Sequence, residues 1–387
     1  MTSIMQGFPP ALEDRATLAN WRHAPWSRWA FHHVREIVPT AEIANDPANV
    51  WALPEGKIDL SAVNLEAAMD ETAADAVAII HEGRLVHETY RRGMSAASPH
   101  ILFSVSKSML GLVAGTLVER GELAESDLAA KYVPELEGTA YADVTVGQLL
   151  DMRAGVLFEE DYLATEGPIV DYRFAANWNP VPAGRDAGDL RSFMAKMTER
   201  DGPHGGRFHY VSVNTDLLAW VFERATGLRY ADLVSERLWK PLGAERAGEI
   251  TVDRIGGARA AGGKSFTARD LARVGMMVAD GGRREGRQII PESWIDQIEK
   301  NGDAEAWNTG DFFEHFPGRP MHYRAKWYVQ REAEPLIHGL GIHGQFVFAD
   351  RAKRLSVAWF SSRHEPTDTP TTMKVLETVD AIRRAVS

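Results

Sequence analysis

A serine and a lysine three positions apart have types and spacing that suit a nucleophile and its base. Ser104 and Lys107 lie in FSVSKSMLG, residues 103–111, where an apolar helical pattern begins. On a first helical turn, positions i and i+3 face one side, so the amine can reach the hydroxyl. A serine needs such a base, and burial together with the positive helix N-terminus can lower a lysine pKa enough to provide one. Ser106 and Ser108 lack this spacing.

A tyrosine motif further along the chain offers a proton donor. In FHYVSVNTDLLAW, residues 208–220, Tyr210, Ser212 and Asn214 precede a predicted helix and could line the edge of a cleft. A tyrosine there could relay a proton between the nucleophile and the leaving group. The alternative is that Tyr210 is a packing residue and that Asn214 caps the helix.

Glycines mark a third segment, HGLGIHGQFVFAD, residues 338–350, where they precede a predicted strand. Glycine lets a backbone approach a ligand closely, and an edge strand here could present an N–H group to an oxyanion. The alternative is a loop that only needs positive φ angles.

The composition narrows the class of protein. The chain has 387 residues, 44% of them hydrophobic, and a net charge of −11, so we expect a soluble globular protein that binds neither nucleic acid nor an anionic membrane surface. No cysteine occurs, which excludes disulfides and thiolate chemistry. Neither a leader pattern nor a long apolar run is present, so we expect a cytoplasmic location.

The elements that must position these residues follow from the hydrophobic pattern. Residues 74–93 predict a β-hairpin around a Glu-Gly turn, and residues 107–120 predict a helix. Residues 122–250 read as mostly helical, with an acidic and aromatic loop at 157–187. Strands then return in WYVQ, GQFVFAD and RLSVAWFSS, and residues 372–386 predict a final amphipathic helix.

This order predicts an α+β fold in which an antiparallel sheet is flanked by helices and joined to a mainly helical lobe. We predict an N-terminal wrapping segment (1–60), a sheet domain built from 61–105 and 251–387, and a helical lobe (106–250). The active site is expected between the lobes.

Together, Ser-x-x-Lys, Tyr-x-Ser and the glycine segment resemble the penicillin-recognising serine hydrolases, the family of class C β-lactamases, D,D-peptidases and related esterases. The order and approximate spacing match from about residue 70 to the C-terminus. FHYVSVNTDLLAW, TARDLARVG and GIHGQ are most similar to the 6-aminohexanoate-dimer (nylon-oligomer) hydrolases. The resemblance implies a β-lactamase/transpeptidase-like fold and cofactor-free cleavage of a small-molecule ester or linear amide through an acyl-enzyme. A homodimer is compatible with it.

Roles carried over from the resemblance fall on specific positions. Ser104 is the expected nucleophile, Lys107 the base and Tyr210 the proton donor, while the backbone N–H groups of Ser104 and Ile342 would bind the oxyanion. The residues expected to contact substrate are Tyr162, Ser212, Asn214, Gly341, His343 and Arg173.

One departure from the family bears on the substrate. Gly339-Leu340-Gly341 stands where penicillin-binding members carry a cation that meets the β-lactam carboxylate. Simple esters or linear amides are therefore the expected substrates. The alternatives are a D-amino-acid peptidase or weak β-lactamase, and an acylating sensor without turnover. The loop after Tyr162 places Arg173 near Glu166 and Asp171, where it would repel an ammonium group or neutralise a carboxylate.

Three other patterns carry no functional prediction. AGGKS, residues 261–265, resembles the end of a phosphate-binding loop, but Ala258 stands where that motif needs glycine. The histidines show no metal-binding spacing, so no metal is expected. The acidic cluster Glu159-Glu160-Asp161 is interpreted as a solvated face.

Overall fold

The structure is a computed structural model that describes residues 4–386. Its strands in that part of the chain are β1 (Thr40–Ile43), β2 (Ala74–His81), β3 (Arg84–Tyr90), β4 (His100–Ile101), β5 (Gly248–Thr251), β6 (Lys264–Phe266), β7 (Arg283–Arg284), β8 (Arg287–Gln288), β9 (Met321–Arg324), β10 (Trp327–Gln330), β11 (Leu336–Gly341), β12 (Gln345–Asp350) and β13 (Leu355–Ser361).

The α-helices of the described residues are α1 (Ser27–Ala30), α2 (Leu65–Glu71), α3 (Val105–Glu119), α4 (Val146–Leu150), α5 (Pro168–Ala175), α6 (Leu190–Met194), α7 (Val213–Thr226), α8 (Tyr230–Val234), α9 (Lys240–Leu242), α10 (Ala268–Ala279), α11 (Glu292–Lys300), α12 (Ala304–Asn308) and α13 (Thr369–Ala385). Short 3₁₀ segments and one π-helical turn, Ser235–Trp239, connect some of them.

A seven-stranded antiparallel sheet forms the framework, in the order β3-β2-β13-β12-β11-β10-β9. Side chains alternate between its two faces. Ala78 and Phe360 belong to the hydrophobic cluster that also contains residues of α3 and α10. Val77 and Trp359 belong to the cluster on the opposite face, with residues of α2 and α13. The sheet is therefore buried between two helical layers.

A second, four-stranded sheet has the order β1-β5-β6-β4 and leads directly to the predicted nucleophile. Its strand β1 pairs with β5, with Thr40 opposite Thr251. This pairing differs from the sequence-based expectation that residues 1–60 only wrap irregularly over the surface. Backbone pairing to a distant strand gives this segment a regular structure that its proline-rich local sequence does not predict.

The predicted hairpin, the helix after Ser104 and the C-terminal strands and helix are confirmed. The loop predicted at 157–187 contains a helix, α5, because Pro168 begins a helical turn whose inner side chains are buried. The prediction that the glycine segment forms an edge strand is wrong, since β11 lies between β10 and β12. The domain boundaries stay a prediction. No helix among residues 4–386 is long and apolar enough to cross a membrane.

Candidate active site

Ser104 lies at the turn between β4 and α3, where it is the residue that precedes the first helical turn. Its side chain does not cap the helix, and it lines a cleft. The preceding Phe103 has a φ of 42°, a left-handed conformation that costs a residue with a side chain about 1–3 kcal/mol. The Phe103 ring packs against Trp21, Phe31 and Trp178. This aromatic packing holds the strained turn that presents the hydroxyl.

Lys107 lies on the first turn of α3, and its side chain is 2% exposed. Its Nζ lies 2.7 Å from Ser104 Oγ and donates to the Ala261 carbonyl at 2.8 Å. Burial lowers the pKa of Lys107 from 10.5 to about 7, an effect opposed by the negative charges of Glu160 and Asp216. A large fraction of Lys107 is therefore neutral near pH 7, which is the form that can take a proton from serine.

Tyr210 lines the same cleft as Ser104. Its backbone N–H donates to Asp311 at 2.8 Å and its ring stacks on Phe312, while Lys107 Nζ is 4.9 Å from the ring centre. Burial and the charge of Glu160 raise the Tyr210 pKa, and side-chain hydrogen bonding to Ser104 and Tyr328 opposes that rise. The phenol therefore stays protonated and can donate to a leaving group.

The end of β11 approaches the nucleophile closely. A Cβ on Gly341 would overlap the Leu102 carbonyl and lie 3.1 Å from the Ser104 backbone nitrogen. Glycine is required here by close approach, because the φ of Gly341 is not in the left-handed region. The N–H groups of Ser104 and Ile342 find no backbone or side-chain acceptor among residues 4–386. Both residues line the cleft, so these two groups suit an oxyanion.

A carboxylate joins two of the predicted substrate-binding residues. Glu160 accepts hydrogen bonds from the Ser212 backbone N–H at 2.6 Å, from the Ser212 hydroxyl and from the Tyr162 hydroxyl at 3.0 Å. Tyr162 lines the cleft beside Ser104 and Tyr210. Glu160 therefore fixes the Tyr162 loop to the segment that carries Tyr210.

Four of the six predicted substrate contacts do not line the cleft: Ser212, Asn214, His343 and Arg173. Asn214 is fully buried, and its Oδ1 accepts from Tyr141 at 3.0 Å. His343 is buried, its Nδ1 bonds to the Arg363 carbonyl at 2.9 Å, and burial lowers its pKa to about 3. Arg173 donates to the carbonyls of Asp161, Tyr162 and Ala164 at 2.9–3.2 Å. The Arg173 guanidinium therefore stabilises the Tyr162 loop by hydrogen bonds to its backbone, without lining the cleft itself.

Two site residues were missed by the sequence analysis. Glu160 stands in an acidic cluster that was interpreted as a solvated face, and Ala261 opens the AGGKS segment that was set aside. Their partners Ser212 and Lys107 are 52 and 154 positions away in sequence, so no local pattern connects them. The cleft walls are also largely aromatic and aliphatic, with Phe312, Phe316, Tyr328, Leu340 and Ile342.

The arrangement can carry out nucleophilic acyl transfer. It combines a serine, a buried amine in contact with it, a protonated phenol and two backbone donors. Within residues 4–386 no group of three or more histidine, aspartate or glutamate side chains is arranged to hold a metal ion.

Known proteins resemble this chain in sequence and in fold. The Beta-lactamase family model matches residues 63–379. The chain is 36% identical over 363 residues to the 6-aminohexanoate-dimer hydrolase of Paenarthrobacter ureafaciens, covering 93% of this chain and 91% of the relative.

Solved structures share the fold. A Bacillus anthracis protein provisionally assigned as a 6-aminohexanoate-dimer hydrolase superposes with a TM-score of 0.87 at 26% identity, covering 96% of this chain and 97% of its own. A family VIII carboxylesterase superposes with a TM-score of 0.62 at 18% identity, covering 86% and 99%. The predicted fold class and the family resemblance are confirmed, and the chain belongs to the β-lactamase family.

Proposed function

We propose that the protein is a serine hydrolase that cleaves esters or linear amides through an acyl-enzyme on Ser104. The observation that carries the proposal is the 2.7 Å contact between the buried Lys107 amine and the Oγ of Ser104, a residue that lines the cleft. The named relatives, a 6-aminohexanoate-dimer hydrolase and a carboxylesterase, act on linear amides and esters, which supports this substrate class.

In the first half-reaction, neutral Lys107 removes the proton from Ser104 as Oγ attacks the carbonyl carbon. The N–H groups of Ser104 and Ile342 stabilise the oxyanion. Tyr210 donates its proton to the departing alcohol or amine, and the C–O or C–N bond breaks. Lys107, now protonated, has its Nζ 4.9 Å from the Tyr210 ring centre and returns the proton to the Tyr210 phenolate, which leaves a neutral amine and a protonated phenol for the second half-reaction.

In the second half-reaction, water replaces the leaving group and loses a proton to the same base as it attacks the acyl-enzyme. The tetrahedral intermediate collapses, the acid is released and Ser104 regains its proton. Tyr162, held by Glu160, and the Arg173-supported loop border the region where the substrate would lie.

A fluorophosphonate probe tests the nucleophile. We expect labelling at Ser104 that is lost in Ser104→Ala, together with turnover of short-chain p-nitrophenyl esters. Labelling that persists in Ser104→Ala contradicts the assignment. Release of one equivalent of p-nitrophenol followed by arrest identifies an acylating sensor. Rapid nitrocefin cleavage without ester turnover indicates a β-lactamase.

A further inference from the structure

Tyr210 belongs to a segment, residues 208–211, that has no regular secondary structure and leads directly into α7. Buried N–H groups outside helices and strands must find their partners elsewhere. The N–H groups of Phe208 and His209 donate to backbone carbonyls. The Tyr210 N–H instead donates to a side chain, the Asp311 carboxylate, at 2.8 Å. The backbone position of Tyr210 therefore depends on a residue 101 positions away in sequence.

The Asp311 carboxylate is itself held in place by two further groups. Its Oδ2, which accepts from the Tyr210 N–H, also lies 2.9 Å from His209 Nδ1, and its Oδ1 accepts from Arg207. His209 Nε2 lies 3.0 Å from the Val156 carbonyl. Burial alone would raise the pKa of Asp311, but the hydrogen bonds from His209 and from the Tyr210 N–H lower it below its usual value. Asp311 is therefore a carboxylate at neutral pH.

The residue after Asp311 contacts the Tyr210 ring. Phe312 stacks on that ring with the two centroids 4.6 Å apart, and it lines the cleft. The Asp311 N–H donates to the Phe208 carbonyl at 3.2 Å. Residues 311–312 are thus joined to residues 208–210 by hydrogen bonds in both directions and by a ring stack. Asp311 itself does not line the cleft, so it acts on the site only through other residues.

We propose that Asp311 is a positioning residue for the leaving-group proton donor, because its carboxylate holds the Tyr210 backbone where the phenol can meet the leaving group. The proposal rests on the proposed function, since it needs Tyr210 to protonate a departing alcohol or amine. Displacing a catalytic group by about 1 Å can cost on the order of a hundredfold in rate. Loss of the Asp311 carboxylate should therefore slow the step that needs the phenol.

Two hexanoate esters that differ in the leaving group test the proposal. The p-nitrophenolate group leaves without a proton, whereas ethoxide needs one, so only ethyl hexanoate depends on proton donation by Tyr210. Both esters form the same hexanoyl-enzyme, and kcat/KM reports the acylation step. The ratio of kcat/KM for ethyl hexanoate to kcat/KM for p-nitrophenyl hexanoate therefore measures the contribution of the proton donor.

Two variants remove or retain the acceptor. We expect Asp311→Ala to lower this ratio about tenfold or more. Asp311→Asn should lower it less, because its side-chain carbonyl still accepts from the Tyr210 N–H. The rate at which a fluorophosphonate labels Ser104 should fall much less than ethyl ester cleavage, because labelling needs Ser104 and Lys107 but no protonated alcohol.

A double variant distinguishes positioning from a general loosening of the fold. In Tyr210→Phe the phenol is absent, so the Asp311 carboxylate has no proton donor left to position. Adding Asp311→Ala to Tyr210→Phe should therefore leave the ratio where Tyr210→Phe alone puts it. A purely structural role would lower both esters together and would leave the effects of the two substitutions independent.

Asp201→Ala is the matched control. Asp201 also pairs with Arg207, at 2.7 Å, and it lies 3.9 Å from His209 Nε2. The Tyr210 N–H donates to Asp311 and not to Asp201. Asp201→Ala should therefore leave the ratio unchanged although it removes a carboxylate from the same group of charges.

The outcomes separate this proposal from the proposed function. If the wild type cleaves neither ester, the proposed function fails. If it cleaves only p-nitrophenyl hexanoate, no leaving-group protonation takes place and the Asp311 proposal fails alone. The Asp311 proposal is also overturned if Asp311→Ala and Asp311→Asn lower both esters equally, if Asp201→Ala changes the ratio as much as Asp311→Ala does, or if Asp311→Ala lowers the ratio further in Tyr210→Phe.

Discussion

Replacing Lys107 by methionine should stabilise the protein while it abolishes activity. Methionine resembles the lysine stem in length but carries no titrating group. In the folded protein Lys107 is 2% exposed and burial lowers its pKa to about 7, whereas the unfolded chain has the ordinary value of 10.5. One pH unit corresponds to about 1.4 kcal/mol. The pKa of Lys107 falls by about 3.5 units on folding. At a pH below both pKa values, this fall destabilises the folded protein by about 5 kcal/mol.

The sign follows from proton binding. Between pH 7 and 10.5 the unfolded chain holds a proton on Lys107 that the folded chain has released, so the free energy of unfolding rises with pH. The destabilisation by Lys107 is complete below pH 7 and fades as the pH approaches 10.5. At pH 7 it is about 4 kcal/mol and at pH 10 about 1 kcal/mol. Lys107→Met also loses the hydrogen bonds to Ser104 and Ala261. This loss reduces the gain in the free energy of unfolding by about 1–3 kcal/mol at any pH.

Urea unfolding followed by tryptophan fluorescence measures the effect at pH 7 and pH 10. The gain of Lys107→Met over the wild type should be about 3 kcal/mol larger at pH 7 than at pH 10. Lys196→Met, which changes an exposed lysine, serves as the matched control and should show no such difference. An equal gain or loss at both pH values would refute a neutral, buried Lys107.

Three further predictions concern catalysis. The rate of ester hydrolysis should rise with pH, with an apparent pKa near 7. Glu160→Gln should shift this rise to lower pH, because Glu160 raises the pKa of Lys107, and an unshifted pH profile would exclude that coupling. Tyr210→Phe should slow amide cleavage at least tenfold more than p-nitrophenyl ester cleavage, since only the amine needs a proton to leave, and equal losses would point to another role. Gly341→Ala should reduce ester turnover about a hundredfold and slow the fluorophosphonate reaction in parallel, because a Cβ would displace the Leu102 and Ser104 backbone. Near-normal turnover would show that β11 does not border the oxyanion.

Local patterns predicted the parts of the fold that local interactions form. The β2–β3 hairpin and α3 have clear periodicity, and α7 ends at Gly227 with a φ of 72°, as its sequence indicates. Strand β9 was missed because its turn to β10 uses Ala325 and Lys326, both with positive φ and neither a residue typical of such turns. Strand β11 was missed as well, because its glycines were interpreted as preceding a strand, and the edge strand expected in this segment does not lie at an edge.

The candidate site also contains residues that local sequence patterns predict and residues that they do not. Ser104 and Lys107 share one helical turn, so their contact could be predicted from spacing alone. Glu160 and Ala261 acquire their roles from partners 52 and 154 positions away, Ser212 and Lys107, and Glu160 is a charged residue of a kind that is usually solvated. Burial is a property of the assembled fold, and the sequence around these residues does not indicate it.

The structure also distinguishes Ser104 from its two neighbours by where each hydroxyl is held. Ser106 Oγ accepts from the Lys264 backbone N–H at 3.1 Å, and Ser108 Oγ donates to the Lys326 carbonyl at 2.9 Å. Both serines are buried in α3 and neither lines the cleft.

Three lysines lie near this helix with lowered pKa values, so a low pKa alone does not identify the base. Burial lowers the pKa of Lys264 to about 7 and that of Lys326 well below its usual value. The Lys264 amine donates to the Ser106 carbonyl and to the Tyr230 hydroxyl, and the Lys326 amine donates to the Leu149 carbonyl. Of these three lysines, only Lys107 has an amine in contact with the hydroxyl of a serine that lines the cleft. This contact therefore identifies Lys107 as the base, which the pKa values alone do not.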